Sequence, residues 1–323
     1  MNKHNILITG GSGFIGTQVL YELVEHGHHV TIVDREIKQE DVPAIIFEED
    51  YYDFFKTNRY RYDTVIHLAA EHLVEQSVSE PEKYYTNNVI KMKGMLDCML
   101  DTGIKNIIFS SSGNIYGKQG QYGSLSEDKL YYDPENPYAS TKVAGELLIK
   151  DYSKAYGLKY VIFRYFNAAG ADPACRFGYV QRPATHVIPI LCNKILKGEK
   201  FPIFGTDYDT VDGTCIRDYV HVADLAAAHT KSLNLFNTNK ANQTFNIGGG
   251  SLGVSVQELV QYAGKIVGKE PKVQESSRRP GDPAILVADI RKAEELMGWK
   301  PKYNIRDAIL HAWNWEKKFE TGH

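Results

Sequence analysis

The sequence has few cysteines, no long apolar run and little net charge. Its four cysteines, Cys98, Cys175, Cys192 and Cys215, show no CxxC or other metal-ligand spacing, so we expect reduced thiols and no metal site. No apolar run approaches the roughly 20 residues of a membrane span, and the start of the chain leaves no room for a signal peptide. A net charge of −3 offers no basic surface for nucleic acid. These absences favour a soluble cytoplasmic protein whose partners are neither membranes nor nucleic acids.

The first half of the chain alternates β-rich runs with longer helical patterns. Hydrophobic residues make up 43% of the 323 residues, so a sizeable core is expected. Near-continuous Ile, Val, Leu and Phe runs are typical of parallel strands buried on both faces, which predicts an α/β, doubly wound, Rossmann-type sheet. The predicted strands are Asn5–Thr9, Val30–Asp34, Ala44–Phe47, Thr64–Leu68, Lys105–Ser110 and Tyr160–Arg164. The predicted helices are Phe14–His26, Pro81–Thr102 and Pro137–Tyr156.

The second crossover is short, because only nine residues separate Asp34 from Ala44. A full crossover helix needs about 10–12 residues, so this link is predicted to be a single turn or a loop. The parallel arrangement is still expected here.

From about Asn167 the regular alternation ends. Segments rich in Gly, Pro and Asp (Gly170–Pro183, Gly205–Gly213 and Arg278–Pro283) separate four predicted helices, and long irregular loops of this kind are usually functional. The helices are His186–Lys197, Val222–Asn234, Ser255–Val267 and Asp289–Met297. We therefore expect residues 1–166, with returning segments near 215–248, to form the nucleotide-binding domain. Residues 167–323 would mainly form a smaller C-terminal substrate-binding lobe.

A glycine-rich turn links the first strand to the first helix. Gly10, Gly13 and Gly16 stand at G-x-x-G-x-x-G spacing, where glycine lets the backbone approach a pyrophosphate at a helix N-terminus. Asp34 ends the second strand, where a carboxylate accepts hydrogen bonds from ribose hydroxyls and repels a 2′-phosphate. The pattern predicts a dinucleotide and favours NAD over NADP, although the adjacent Arg35 argues in the other direction.

A second motif supplies acid–base chemistry. Tyr138 and Lys142, four residues apart, share one helix face, so the lysine ammonium would favour the phenolate and lower the tyrosine pKa. Ser112 closes the fifth strand, at the sheet edge where ligands bind. The alternative is an ordinary surface pair on a helix.

These motifs resemble those of the extended short-chain dehydrogenase/reductase superfamily over essentially the whole chain. Within it, the chain resembles the UDP-glucose 4-epimerase (UDP-galactose 4-epimerase) family. The most specific shared run lies at Gly213–Val222 (GTCIRDYVHV). The matching segments are Ser110–Ser112, Tyr138 with Lys142, Arg164–Gly170, Asp212–Val222 and Arg278–Asp282.

The resemblance implies an isomerase of carbohydrate and galactose metabolism that uses bound NAD and passes through a 4-keto sugar. Tyr138 would be the base, Ser112 the partner of the sugar O4, and Lys142 the ribose contact. The implied NAD contacts are Gly10, Gly13, Phe14, Ile15, Gly16, Asp34, Asp50, Tyr51, Leu68, Ala69, Ala70, His72, Asn87, Ser110, Tyr138, Lys142 and Phe166. The implied UDP-sugar contacts are Ser112, Asn167, His186, Val187, Phe204, Arg217, Tyr219, Arg279 and Asp282.

Forked guanidinium donors suit a diphosphate, which supports the roles implied for Arg217 and Arg279. Arg217 could instead pair with the neighbouring Asp218, and His186 could be a helix cap or a packed histidine. The resemblance also implies a homodimer formed by the helices at Pro81–Thr102 and Pro137–Tyr156.

Several alternatives stay open at this point. His72 stands where the family commonly has lysine, and Leu286 stands at the position that gates sugar size. Preference among UDP-hexoses, UDP-N-acetylhexosamines, UDP-pentoses and UDP-uronates is therefore unresolved. Gly113 and Asn114 cannot act as acid or base, which argues against a dehydratase. A non-catalytic NAD-binding protein and an NADH-releasing dehydrogenase are the remaining possibilities.

Overall fold

The computed structural model describes residues 3–38, 42–57, 61–122, 124–128, 134–238, 240–279 and 282–321. The strands are β1 Asn5–Thr9, β2 His29–Asp34, β3 Ile45–Glu48, β4 Thr64–His67, β5 Asn106–Ser112, β6 Lys159–Tyr165, β7 Asn167–Ala169, β8 Phe201–Phe204, β9 Ile216–Arg217, β10 Tyr219–His221, β11 Gln243–Ile247, β12 Val254–Ser255, β13 Val273–Ser276 and β14 Ile285–Leu286. The α-helices are α1 Phe14–Glu25, α2 Tyr51–Thr57, α3 Val74–Ser79, α4 Pro81–Tyr85, α5 Lys91–Thr102, α6 Pro137–Tyr156, α7 Val187–Lys197, α8 Val222–Phe236, α9 Val256–Val267, α10 Arg291–Met297 and α11 Ile305–Thr321. A π-helical turn at Thr86–Ile90 joins α4 to α5, and a 3-10 segment covers Gly113–Tyr122.

A seven-stranded parallel sheet organises the molecule, in the order β11-β6-β5-β4-β1-β2-β3. Its central strands are buried on both faces: Ile6, Leu7 and Ile8 of β1 have no exposed surface. This explains why they read as continuous apolar runs rather than alternating ones. The Rossmann-type α/β fold class and the six predicted strands are confirmed.

The short second crossover also keeps the parallel arrangement, because β2 and β3 pair with Thr31 opposite Ile45. Within the described parts of the link, 35–38 and 42–44, the chain forms bends and no helical turn. Residues 39–41 of this link lie outside the described residues. The loop interpretation therefore agrees with the parts that are described.

Two elements that shape the site were not predicted. Strand β11 joins the sheet beside β6, with Phe245 opposite Phe163. Helix α11 buries Ala308, Ile309, Ala312 and Trp315. Those apolar residues recur at helical spacing, so the α11 pattern was readable from the sequence, whereas the mixed composition of β11 gave little signal.

Helix α6 carries the predicted catalytic pair from its first turns. Asn136 caps it, since its side-chain oxygen accepts a hydrogen bond from the backbone N–H of Ala139 at 2.9 Å. Pro137 occupies the first turn, where a missing N–H costs nothing. Tyr138 is therefore held where the helix begins. None of the helices in the described part of the chain combines the length and apolar character of a membrane span.

Candidate active site

A cavity of about 560 Å³ opens at the carboxyl edge of the sheet. In open parallel sheets this edge is where ligands bind. Every residue predicted to contact NAD lines it. The lining includes Gly10, Gly13, Phe14, Ile15, Gly16, Asp34, Asp50, Tyr51, Leu68, Ala69, Ala70, His72, Asn87, Ser110, Tyr138, Lys142 and Phe166, together with the predicted substrate residues Ser112, Asn167 and His186.

The glycine-rich turn forms one end of this cavity. Gly10 has φ +73°, and a Cβ there would lie 2.7 Å from the backbone nitrogen of Ala69. A Cβ on Gly16 would lie 2.7 Å from the Cα of Gly11. A Cβ on Gly13, by contrast, would have only the Gly10 carbonyl oxygen nearby, at 3.4 Å. Gly10 and Gly16 therefore make the turn compact, while Gly13 leaves open space beside the N-terminus of α1, a cradle that suits a pyrophosphate.

Asp34 lies beside this turn at the end of β2. Its carboxylate accepts hydrogen bonds from the backbone N–H groups of Ser12 at 3.1 Å and Arg35 at 2.8 Å. The guanidinium of Arg35 pairs with Glu71 at 2.8 Å. Because Arg35 already has a carboxylate partner, its presence does not make a 2′-phosphate pocket, and the acceptor arrangement suits the ribose hydroxyls of NAD.

The predicted catalytic residues meet in the interior of the cavity. Tyr138 is 9% exposed and Lys142 is 3% exposed, so the surface-pair alternative is wrong. Tyr138 forms a side-chain hydrogen bond with Ser112. Lys142 Nζ donates to the backbone carbonyl of Ser110 at 2.7 Å and lies 5.9 Å from the centre of the Tyr138 ring. The serine cluster thus touches both members of the pair.

The pKa of Tyr138 is shifted opposite to the direction expected from a nearby lysine. Burial raises it, and the hydrogen bond with Ser112 offsets part of the rise. Burial also lowers the pKa of Lys142 to about 7. The side chains of the site alone therefore do not produce the predicted phenolate, because desolvation raises the Tyr138 pKa by more than the hydrogen bond with Ser112 lowers it.

A buried ion pair beneath the site was missed by the sequence reasoning. Glu146 of α6 and Arg164 of β6 are 1% and 2% exposed, and they pair through Nε–Oε1 at 2.9 Å and Nη2–Oε2 at 2.8 Å. Ser111 Oγ also donates to Glu146, at 2.7 Å. Glu146 therefore ties the helix of Tyr138 and Lys142 to β6 through Arg164 and to the strand that ends in Ser112 through Ser111. Arg164 begins the Arg164–Gly170 segment, which matches the family, but nothing in the sequence marks Glu146 as its partner.

The remaining predicted substrate residues form a second group in the C-terminal part. Arg217 of β9 pairs with Asp282 at 2.5 Å, and the Arg279 guanidinium lies 4.3 Å from the centre of the Phe204 ring. The neighbouring Asp218 instead accepts hydrogen bonds from the N–H groups of Gly249 and Ala288. The proposed Arg217–Asp218 pair is thus replaced by a pair with another predicted site residue.

Strand pairing connects this group to the cavity. Tyr219 of β10 lies opposite Asn167 of β7, and the Asn167 amide donates to the Asp218 carbonyl at 2.8 Å. His186 precedes α7 without capping it through its side chain, and Val187 is the first residue of that helix. The His186 ring instead packs 4.8 Å from that of Tyr179. His186 is therefore the N-cap residue of α7 by its backbone position and a packed histidine by its ring contact, as the alternative expected, and it also lines the cavity.

His72 stands where the family commonly has lysine, and Leu286 stands at the position that gates sugar size. Burial lowers the pKa of His72, which lines the cavity, so its imidazole is neutral at pH 7. Leu286 is 7% exposed and pairs with Arg217 between β14 and β9. Within the described residues, no group of three or more His, Cys, Asp or Glu side chains could hold a metal ion.

Comparisons with known proteins agree with this geometry. Residues 6–248 match the family described as NAD dependent epimerase/dehydratase. The chain is 39% identical to the UDP-glucose 4-epimerase of Halalkalibacterium halodurans, over 98% of this chain and 97% of that protein. Its fold matches a Stenotrophomonas maltophila UDP-glucose-4-epimerase with bound NAD and formylated UDP-arabinopyranose, with TM-score 0.93, 29% identity, and coverage of 99% and 100% of the two chains. A Bifidobacterium longum UDP-glucose 4-epimerase in complex with NAD+ and UDP matches with TM-score 0.89, 32% identity, and coverage of 99% and 100%.

These similarities extend over nearly the full length of the chain. The chain belongs to the NAD dependent epimerase/dehydratase family and, within it, to the UDP-glucose 4-epimerases.

Proposed function

We propose that the chain is an NAD-dependent UDP-hexose 4-epimerase that interconverts UDP-glucose and UDP-galactose. The observation that carries the proposal is one cavity in which the phosphate turn at Gly10–Gly16 and the Ser112–Tyr138–Lys142 cluster face the same space. The relatives named above act on, or were crystallised with, UDP-linked sugars. An ordinary dehydrogenase would need the cofactor to leave, and a non-catalytic protein would not need the buried tyrosine.

The cofactor fits the residues present. The open side of Gly13 and the N-terminus of α1 would hold the pyrophosphate, Asp34 would hold the adenosine ribose, and Lys142 would hold the nicotinamide ribose. When bound, NAD supplies a reversible two-electron oxidation at C4 of the sugar. The residues of this chain would position the sugar and the cofactor and would transfer the proton of the 4-hydroxyl.

Tyr138 and Ser112 would perform the proton transfer. In this proposal Tyr138 Oη removes the proton of the sugar 4-hydroxyl, and Ser112 Oγ, already bonded to Tyr138, holds O4. Lys142, a cation below its pKa of about 7, favours the Tyr138 phenolate before it takes the proton from O4, and Tyr138 holds that proton as a neutral phenol while the sugar is in the 4-keto form. After the 4-keto sugar has turned its other face, Tyr138 returns the same proton to O4. The net result inverts C4 without consuming cofactor.

The C-terminal group would hold the UDP moiety. Arg217 and Arg279 offer forked donors for a diphosphate, while Phe204 and Tyr219 offer rings near uracil or ribose. Asp282, paired with Arg217, would fix that guanidinium. Asn167, His186 and Val187 would bridge this group to the sugar. We accordingly propose that residues 1–166 and 215–248 form the NAD domain and that 167–323 mainly form the substrate lobe.

The test is conversion of UDP-galactose, and separately of UDP-N-acetylgalactosamine, by purified protein without added cofactor, with epimers resolved by NMR. We expect UDP-galactose to be converted, because the NAD site is formed by elements of the core. Conversion of both sugars would keep the mechanism and assign a broader specificity than plain hexoses. No conversion of either, with NAD added, would contradict the UDP-hexose proposal and direct the test to UDP-pentoses and UDP-uronates.

We also propose a homodimer formed by α3–α6 and the π-helical turn. Apolar side chains are exposed there, including Val78 and Ile90 at 65% each and Leu147 at 43%. Exposed apolar groups that cluster on neighbouring helices favour association. Ile90→Glu with Leu147→Glu should shift sedimentation from dimer to monomer, while Val211→Glu, on an exposed loop outside these helices, should not. A monomeric wild type would contradict the proposal.

A cytoplasmic location is proposed on the state of the cysteines. Cys175, Cys192 and Cys215 are free thiols, which is usual where the compartment keeps thiols reduced. Fractionation of cells that make the protein would test this location.

A further inference from the structure

One wall of the active-site cavity is a loop, residues 178–186, which we call the wall segment. Tyr179, Val180, Gln181 and His186 of this segment line the cavity. The Tyr179 ring packs edge-on against that of Phe14, with the ring centres 5.5 Å apart. Because Phe14 is the first residue of α1, the wall segment meets the phosphate turn directly. Its position therefore affects both the cofactor side and the sugar side of the cavity.

The opposite side of the wall segment rests on the C-terminal helix α11. A Cβ on Gly178 would lie 2.5 Å from ring atoms of Trp315, so only glycine lets the chain run this close to the indole. Trp315 Nε1 donates to the Tyr179 carbonyl at 3.0 Å. Arg182 Nη2 pairs with Glu316 at 2.7 Å. Trp315 and Glu316, which are consecutive in α11, thus hold the two ends of the stretch 178–182: Trp315 contacts Gly178 and Tyr179, and Glu316 pairs with Arg182.

Arg182 also contacts the main chain of the wall segment, so its pairing with Glu316 restrains the backbone there. Its Nη1 donates to the Gln181 carbonyl at 3.0 Å, and its guanidinium lies 4.4 Å from the centre of the Phe319 ring. The side chain of Glu316 is 1% exposed, and its Oε1 has no hydrogen-bond partner among the described residues. A buried carboxylate is costly to leave without its ion-pair partner, so Glu316 holds Arg182 in place.

We propose that α11 acts as a clamp on the substrate pocket, in which Glu316, Trp315 and Arg182 are positioning residues that set the wall segment for sugar-nucleotide binding. The clamp bears on catalysis only if the epimerase activity proposed above is correct. None of these three residues reaches the reacting atoms in the proposed mechanism. Loss of the clamp should therefore weaken substrate binding and leave the rate of the chemical step nearly unchanged.

Protonation of Glu316 should weaken the clamp. Burial raises the pKa of this carboxyl to about 7, with Glu320 raising it further and Arg182 and Lys197 lowering it; Cys192 of α7 also faces it. The ionised form that pairs with Arg182 therefore prevails above pH 7, and the neutral form prevails below. We expect the KM for the UDP-sugar to rise as the pH falls from about 8 to about 6, across this pKa.

The test compares Glu316→Gln with Glu320→Gln, which removes an exposed carboxylate one turn later on the same helix. In the Glu316→Gln variant, the amide hydrogens of the wall segment should exchange at least about tenfold faster than in the wild type. KM should rise about tenfold while kcat stays within about twofold, as expected for a loss of positioning. The pH dependence of KM should disappear in this variant. Glu320→Gln should retain wild-type amide exchange and wild-type KM at pH 8, and the rise in KM should move to lower pH, because removing that charge relieves repulsion on Glu316. Trp315→Phe, which keeps the packing on Gly178 but loses the hydrogen bond, should give the same pattern more weakly.

Unchanged amide exchange in the wall segment of folded Glu316→Gln would overturn the clamp, and so would an equal fall in kcat and kcat/KM. Loss of stability without either local effect would also overturn it, since a purely structural pair has that outcome. Hydrogen exchange requires no turnover, so the clamp is tested even if none of the sugars proves to be the substrate. Failure of the activity and failure of the clamp are therefore separate results.

Discussion

Tyr138→Phe is expected to lower kcat by about a thousandfold, the range seen when a positioned general acid–base group is lost. Phenylalanine retains the ring in a site that is 9% exposed, so the fold and the cavity should persist. What disappears is the hydroxyl that bonds Ser112 and that carries the O4 proton in the proposed mechanism. The measurement is UDP-galactose turnover, with bound NAD and UDP affinity determined on the same preparation.

The control is Tyr262→Phe, which removes a hydroxyl from helix α9, outside the residues lining the cavity. It should leave kcat unchanged. A Tyr138→Phe enzyme with near wild-type turnover would remove Tyr138 from the proton-transfer role and leave Ser112 as the next candidate. Loss of bound NAD in the variant would instead show that the hydroxyl is needed to hold the cofactor, and the fall in turnover would then not support a proton-transfer role.

Glu146→Ala is expected to reduce the free energy of unfolding by about 3–5 kcal/mol, because breaking a fully buried ion pair leaves an uncompensated charge. The partner, Arg164, is 2% exposed and has no route to water without disturbing β6. Urea unfolding followed by circular dichroism measures the change. Glu146 joins α6 to β6 through Arg164 and to β5 through Ser111, so its loss should also disturb the Ser112–Tyr138 cluster. The fraction that stays folded should therefore bind UDP-sugar less well.

Asp151→Ala is the matched control, because it removes a carboxylate from an exposed position of the same helix. Its effect should stay within about 0.5 kcal/mol, as is usual for surface positions. If both variants lost equal stability, helix propensity rather than the buried pair would account for the result. If neither did, the Glu146–Arg164 pair would not be an energetic support of the catalytic helix.

Elements whose signals are local were predictable from the sequence. The spacing of glycines at Gly10–Gly16 fixes a tight turn, and a four-residue separation places Tyr138 and Lys142 on one helical face whatever surrounds them. Continuous apolar runs predicted the six strands, because a parallel strand buried on both faces has no polar side. Together these features were sufficient for the fold class and the cofactor, and they placed Tyr138 and Lys142 in one buried cluster.

Contacts between distant segments were decided only by the tertiary structure. Arg182 and Glu316 are 134 residues apart, and Trp315 reaches the Tyr179 carbonyl over 136. Nothing in the spacing of such residues encodes a pairing, because their meeting depends on how α11 packs against the rest of the molecule. The direction of the Tyr138 pKa shift is of the same kind. Sequence proximity to Lys142 predicts a lowered value, but burial, a property of the whole fold, outweighs it and raises the pKa.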